Sequence, residues 1–309
     1  MLYVPGSSEK MIKKSQTSSS DCIIFDLEDS VAAHRKGLAR ETVFHALEAA
    51  ARPGPELAVR INPPSGDQTL AADDLDVVLP ARQLETIVVP KVEHEDDIRF
   101  IIAKARALRP AQDYQPLDLV LSVESAASLL RMPEIIEAIR KETPADSRPS
   151  AEISALVFAS EDYCASTGII RTRSRRELLF PRAHMATIAK AHNLAAIDMV
   201  CIDYKDMAYL EEECDDGKEL GYDGKQAIHP AQVEPIQHKF VPSKEAIRRA
   251  AKIKHLYERS VSEHRGAYGL QEGDSLIMID APMLLQAEAT LSKARAARLA
   301  IPDVSKEDD

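Results

Sequence analysis

Charged and polar side chains gather directly after short apolar runs, and this placement carries the first functional argument. Cys22–Phe25 leads into Asp26, Glu28 and Asp29; Leu57–Ile61 carries Arg60 and leads into Asn62; Thr86–Val89 is followed by Lys91 and Glu93. Leu117–Val123 runs into Glu124, Ile153–Ala159 into Glu161 and Asp162, Ala196–Ile202 into Asp203, and a weak run at Gln226–Ile228 into His229. A single carboxylate after a strand serves equally as a helix N-cap. Repetition on strand after strand points instead to one shared mouth.

Carboxylate oxygen is the prevailing donor there. Glu124 and Asp162 are the expected direct ligands of a divalent cation, with Glu28 and Asp29 placed to orient its water. Hard oxygen donors with room for water and substrate suit Mg²⁺, or Mn²⁺, better than zinc. The nine histidines contain no HExxH spacing, which also argues against zinc. Arg60 offers a planar fork for the carboxylate of an anionic substrate, or for a neighbouring strand-end acid. Lys91 could form an imine, but a metal-binding carboxylate pair makes that redundant, so a phosphate or structural pairing is preferred. His229 fits proton transfer, or the shaping of its loop by hydrogen bonds.

The elements that must position these groups are legible as alternation. Eight apolar runs, beginning with Leu2–Val4, are separated by stretches of helical spacing such as Ala33–Ala51, Glu95–Leu108, Leu129–Ile139, Ser174–His192 and Asp206–Leu220. Near-continuous apolar strands are buried on both faces, as in a parallel sheet covered by helices. Eight of them favour an α/β fold of the closed (β/α)₈ TIM barrel type over an open sheet. Residues 1–240 are the expected barrel. Residues 241–309 are the expected C-terminal helical extension, with helices at Ser243–Val261 and Pro282–Leu299 joined by a Gly-containing loop and Ser275–Asp280. Ser243 is the expected N-cap of the first. Lys141–Glu152, with Pro144 and Pro149, reads as a loop insertion on the side away from the mouth.

Composition narrows the partners. The net charge of −11 comes without a basic stripe, so nucleic acid and anionic membrane are not expected. No apolar run approaches the roughly 20 residues that span a bilayer. The four cysteines show no CxxC pairing and read as free thiols of a reducing compartment. The chain opens without a leader-like segment, so cytoplasm or mitochondrial matrix is expected.

Taken in order, several segments resemble the citrate lyase β-subunit-like proteins of the HpcH/HpaI aldolase and malyl-CoA/citramalyl-CoA lyase family. They are Leu2-Tyr3-Val4-Pro5-Gly6-Ser7, Ile24-Phe25-Asp26-Leu27-Glu28-Asp29-Ser30-Val31, Val59-Arg60-Ile61-Asn62, Val89-Pro90-Lys91-Val92-Glu93 and Val123-Glu124-Ser125-Ala126. Glu161-Asp162 and Gly221-Tyr222-Asp223-Gly224-Lys225 through Ile228-His229-Pro230 complete the set, which covers nearly the whole chain. The resemblance implies a Mg²⁺-dependent carbon–carbon lyase that cleaves a 3-hydroxyacyl-CoA, such as citramalyl-CoA or malyl-CoA, to acetyl-CoA and pyruvate or glyoxylate. It implies Glu124 and Asp162 as metal ligands, Glu28 and Asp29 as holders of metal water, and Arg60 as the substrate-carboxylate ligand. Ile277-Met278-Ile279-Asp280-Ala281-Pro282 resembles the family's C-terminal motif, which makes Asp280 the acid/base in a neighbouring subunit's site. Asp280 is equally well placed as the N-cap of a helix with Pro282 in its first turn. A homotrimer or higher homo-oligomer follows, and Lys10, Lys14 and Lys225 at the mouth would meet CoA phosphates. Ala159 stands where the family commonly has glycine. Alternative activities are thioester hydrolysis, a malate synthase-like reaction, a 2-oxo acid aldolase working without CoA, or the citryl-thioester lyase subunit of a citrate lyase complex.

Overall fold

The computed structural model describes all residues except 111–112, 143–147, 263–268, 273–274 and 306–309, and gives backbone alone for 269–272 and 275–277. Eight parallel strands follow in chain order: β1 (Leu2–Pro5), β2 (Cys22–Asp26), β3 (Glu56–Arg60), β4 (Thr86–Val89), β5 (Leu117–Val123), β6 (Ala151–Phe158), β7 (Ala195–Asp198) and β8 (Gly224–Lys225). The helices between them are α1 (Glu9–Ser15), α2 (Lys36–Glu48), α3 (Thr69–Val78), α4 (Glu95–Leu108), α5 (Ala126–Glu142), α6 (Ser160–Thr167), α7 (Leu179–Ala191) and α8 (Met207–Glu219). A parallel bridge from Leu2 to Ala227 brings the last strand back to the first, with Tyr3 N donating to Ala227 O at 2.9 Å. The sheet is a (β/α)₈ barrel.

Alternation sorts the side chains. Cys22, Ile24, Ala58, Val88, Val120, Ala155 and Val157 form one cluster, joined by Tyr3, Ala195 and Ile197, and fill the barrel interior. Their neighbours in sequence, among them Ile23, Phe25, Leu57, Val59, Ile87, Leu119, Leu121 and Leu156, are also buried, facing the other side of the sheet. Both faces are covered, which is why these strands read as continuous apolar runs. Asp26 and Arg60 extend the interior set toward the strands' C-terminal ends.

Two strands depart from expectation. β7 stops at Asp198, not Ile202, so Asp203 lies in an exposed loop and not at a strand end. β8 is Gly224–Lys225, with Ala227 reached only by the isolated bridge. Sheet pairing ends at Asp198, whose carboxylate takes two bonds from Arg182, at 3.1 and 2.8 Å, although the apolar run continues through Ile202. The expected helices Ala33–Ala51 and Ser174–His192 each open with a 3₁₀ turn, at Ala33–Arg35 and Arg176–Leu178. Residues 143–147 of the expected insertion lie outside the described residues; α5 runs to Glu142 before them, and β6 begins at Ala151 after them.

The chain divides into two compact units, Met1–Gln237 and His238–Asp309, with α9 (Val233–Phe240) at the junction. In the second, α10 (Lys244–Ser262) is capped by the Ser243 hydroxyl, which accepts from Ala246 N at 3.1 Å. It packs on α11 (Ala281–Ala296) through Ile247, Ala250, Ile253, Leu256, Ala287 and Leu291. A hairpin of β9 (Gly269–Glu272) and β10 (Ser275–Met278) precedes α11; the Gly-containing loop expected before Ser275 falls in part outside the described residues. All four cysteines are free, and no described helix is long and apolar enough to cross a membrane.

Candidate active site

The ends of β2 and β3 lie side by side in register, Asp26 opposite Arg60. Arg60 Nε and Nη2 grip the two oxygens of Asp26 at 2.7 and 2.8 Å, and Nη1 lies 2.9 Å from Glu28 Oε2. Tyr3 stacks beneath the guanidinium, 5.0 Å from ring centre. Burial would push the Asp26 carboxyl up, but the Arg60 bonds outweigh it and hold the group below the usual carboxylate range. Arg60 therefore makes the ion pair that its position allowed, while still forming part of a cavity wall.

Glu28 is nearly sealed, at 4% exposure, between Arg60 and Lys91, whose Nζ lies 2.6 Å from Glu28 Oε1. Burial raises the Glu28 carboxyl despite both cations. Lys91 thus makes a structural pairing with a strand-end acid, from a left-handed backbone with φ of 51°. Beneath, Asp74 takes Asn62 N and Nδ2, both at 2.7 Å, and Lys36 Nζ ties Asn62 Oδ1 at 2.6 Å to the carbonyls of Leu27 and Glu28. Asn62 is thus a brace for the Glu28 loop. Asp74 gave a usable signal in sequence: it shares the buried α3 stripe of Ala71, Leu75 and Val78, where a carboxylate demands a partner.

Glu124 follows β5 with 6% exposure, and its Oε2 is buried with no hydrogen-bond partner. Burial first, then the nearby charges of Glu28 and Asp162, pushes its carboxyl up to about 8. Asp162 stands half-buried in the first turn of α6; Glu161 beside it is engaged by Arg171 at 2.6 Å. A cavity of about 440 Å³ opens over this ground, lined by Tyr3, Asp26, Asp29, Arg60, Asp162 and Gln226 among others. Ala159 is in its wall, on the residue that precedes α6.

Among the described residues no three His, Cys, Asp or Glu side chains cluster to hold a metal. The Glu124–Asp162 neighbourhood nevertheless fits one Mg²⁺: the two carboxylates repel, one keeps an orphaned buried oxygen, and the nearby Lys91 and Arg60 offset burial and repulsion only in part. Mg²⁺ binds through one or two protein carboxylates and keeps water or substrate oxygen in its other positions. Glu28 is committed to Arg60 and Lys91, and Asp29 is exposed at the cavity wall.

Lys225 requires correction. It is not at the mouth but 1% exposed, its Nζ 3.0 Å from Glu213 Oε2 and 3.6 Å from Asp198 Oδ2. The 3.0 Å approach is a contact of charges whose angle falls short of a hydrogen bond. The outward pleat of β8 points this side chain at α8 and away from any CoA phosphate. Lys10 and Lys14 are exposed on α1, and Lys14 lines a second cavity of about 430 Å³ that shares Tyr3, Pro5 and Ile228 with the first. His229 shapes its loop: Nδ1 accepts from Ala231 N at 3.2 Å, and the ring stacks on Tyr204 at 4.8 Å. Asp280 belongs to the second unit, exposed, and caps α11 by accepting from Met283 N at 2.9 Å.

The HpcH/HpaI aldolase/citrate lyase family model matches residues 1–230. The chain belongs to this family. Mitochondrial citramalyl-CoA lyase of Homo sapiens is 36% identical over 296 residues, covering 95% of this chain and 84% of that protein. Citrate lyase subunit beta of Escherichia coli strain K12 is 28% identical, covering 95% and 92%. The crystal structure of Mycobacterium tuberculosis CitE in complex with magnesium, acetoacetate and coenzyme A superposes with a TM-score of 0.68 at 27% identity, covering 95% of this chain and 97% of that one. A Burkholderia xenovorans citrate lyase structure reaches a TM-score of 0.78 at 23% identity, over 98% and 93%, a likeness of fold. As a member of the HpcH/HpaI aldolase/citrate lyase family, the protein is a carbon–carbon lyase, with its cavity at the C-terminal ends of the strands.

Proposed function

We propose that the protein cleaves a 3-hydroxyacyl-CoA, citramalyl-CoA or malyl-CoA, to acetyl-CoA and a 2-oxo acid, pyruvate or glyoxylate, with Mg²⁺ bound. The observation that carries this reading is Glu124: a buried carboxylate with an orphaned oxygen, within the electrostatic reach of Asp162 and Arg60, which both line the cavity. Support comes from the 36% identity to a citramalyl-CoA lyase and from the magnesium and coenzyme A of the CitE complex.

Glu124 and Asp162 hold the cation, with Asp29 placed to orient its water; Mn²⁺ suits the same oxygens. Bound there, Mg²⁺ supplies Lewis acidity that stabilises an alkoxide and polarises the oxo-acid carbonyl. Arg60, kept cationic and rigid by Asp26, orients the anionic end of the substrate. Cleavage breaks the bond between the hydroxyl-bearing carbon and the carbon next to the thioester. The hydroxyl proton passes to water, its oxygen becomes the carbonyl of the 2-oxo acid, and the electron pair of the broken carbon–carbon bond passes to the acetyl-CoA enolate. Asp280 of a neighbouring subunit delivers a proton to the enolate carbon and removes it in the reverse direction. That role requires at least a dimer, and a homotrimer or higher homo-oligomer is the state we infer, with residues 241–309 as the exchanged part. The CoA arm runs along the second cavity, where Lys14, with Lys10 on the same helix, meets its phosphates.

The purified chain with Mg²⁺ should convert citramalyl-CoA or malyl-CoA to acetyl-CoA and the matching oxo acid. Release of free CoA without acetyl-CoA would indicate thioester hydrolysis, and turnover of carrier-linked citryl thioester alone would indicate a citrate lyase subunit. No turnover of either CoA ester would remove the reading.

A further inference from the structure

Gln226 is the one polar part of the cavity wall on the β8 side that the scheme above leaves without a task. It is 4% exposed. Its Nε2 donates to Phe158 O at the end of β6 and to Asp198 O at the end of β7, each at 3.0 Å. Carbonyl oxygens only accept, so the amide can face them with its NH₂ alone, and both hydrogens are committed. The orientation of the amide is therefore set by the backbone. Oε1 is turned away from those two strands, and it is not among the side-chain atoms sealed from solvent without a partner. Gln226 lines the cavity, and Oε1 is the amide atom left to face it.

A fixed acceptor at that place discriminates between the oxygens of the substrate. Carboxylate and carbonyl oxygens are acceptors and are repelled by Oε1. The substrate hydroxyl can donate. The amide N–H groups of the CoA arm belong, on the reading above, to the second cavity, which Gln226 does not line. We propose that Gln226 is a specificity-determining residue, whose Oε1 accepts a hydrogen bond from the substrate hydroxyl and so selects hydroxyacyl over deoxyacyl thioesters. The inference rests on the lyase reading. The bond exists while the hydroxyl keeps its proton and is lost when the alkoxide forms, so it stabilises the bound substrate and not the transition state, lowering KM and kcat together.

The test pairs the wild type and Gln226→Met, full-length and magnesium-loaded, with citramalyl-CoA and with its analogue carrying hydrogen in place of the hydroxyl, used as an inhibitor. The wild-type preference for the hydroxyl compound should fall by about tenfold in the variant, with KM and kcat raised together and kcat/KM within about twofold. An unchanged preference would overturn the proposal, because loss of the two backbone contacts weakens both ligands alike. If the variant does not fold, the wild type is measured with an analogue bearing fluorine at that carbon, an acceptor without a proton. It should bind about tenfold more weakly than the hydroxyl compound, and equal binding would overturn the assignment. A wild type that neither binds nor cleaves citramalyl-CoA would instead show that the lyase reading had failed, and the proposal with it.

Discussion

Replacing Lys225 by Met removes one charge from a sealed group of ions while keeping much of the side chain's volume. Lys225, Asp198 and Glu213 have 0% side-chain exposure, and Arg182 has 1%. After the change Asp198 keeps its two bonds to Arg182, and Glu213 keeps Arg171 at 2.8 Å. Removing one partner of a buried pair costs about 3–5 kcal/mol; with both carboxylates still singly paired, the lower end, about 3 kcal/mol, applies. Urea unfolding should show a midpoint lower by about 1 M. The loss should also depend on pH. Burial opposes ionisation of Asp198 and Glu213, yet Lys225 with Arg182 or Arg171 holds both carboxyls below their ordinary values. Groups with lowered folded pKa stabilise above their unfolded value of about 4, and the benefit is lost as pH falls through the folded value. The gap between parent and variant should thus be widest near neutrality and narrow in acid. A variant as stable as the parent, with KM for a CoA ester raised more than about tenfold, would refute this assignment and restore a phosphate-binding role.

Arg60→Lys keeps the charge but loses the fork that grips Asp26; steady-state kinetics should show kcat/KM lower by about a hundredfold with an unchanged circular dichroism spectrum. Activity near the parent's would count against Arg60 as an orienting group. Because the Glu124 carboxyl is pushed up to about 8 without metal, Mg²⁺ must displace a proton at neutral pH. Affinity should rise about tenfold per unit up to that value and then level off, with proton release visible by calorimetry in buffers of different ionisation enthalpy; pH-independent binding would contradict the shift. Gly217→Ala places a Cβ 2.6 Å from Asp198 Oδ2, and thermal unfolding should register a loss of about 1–3 kcal/mol, whereas an unchanged Tm would show that the helix yields freely.

The barrel was legible because its strands are buried on both faces, which leaves continuous apolar runs, and because polar residues recur at one end of them. Lys225 was misplaced for a physical reason. A lysine after a turn reads as exposed, and only the fold shows that Asp198, Glu213 and Arg182 converge from three other elements to make burial tolerable. Asp203 failed similarly, since the apolar run continuing past Asp198 concealed the end of β7. Arg60 was read for its chemistry, but its bidentate hold on Asp26 depends on the β2–β3 register, which no local pattern reveals. The orientation of Gln226 depends on two carbonyls far away in sequence, Phe158 and Asp198, and was invisible for the same reason.

The central claim is that Glu124 and Asp162 share one divalent cation. Anomalous diffraction at the manganese edge, from crystals grown with Mn²⁺, tests it most directly. One peak within about 2.5 Å of an oxygen from each residue is the expected result. A map without that peak, or with the ion held by other side chains while Glu124 Oε2 stays unliganded, would contradict it.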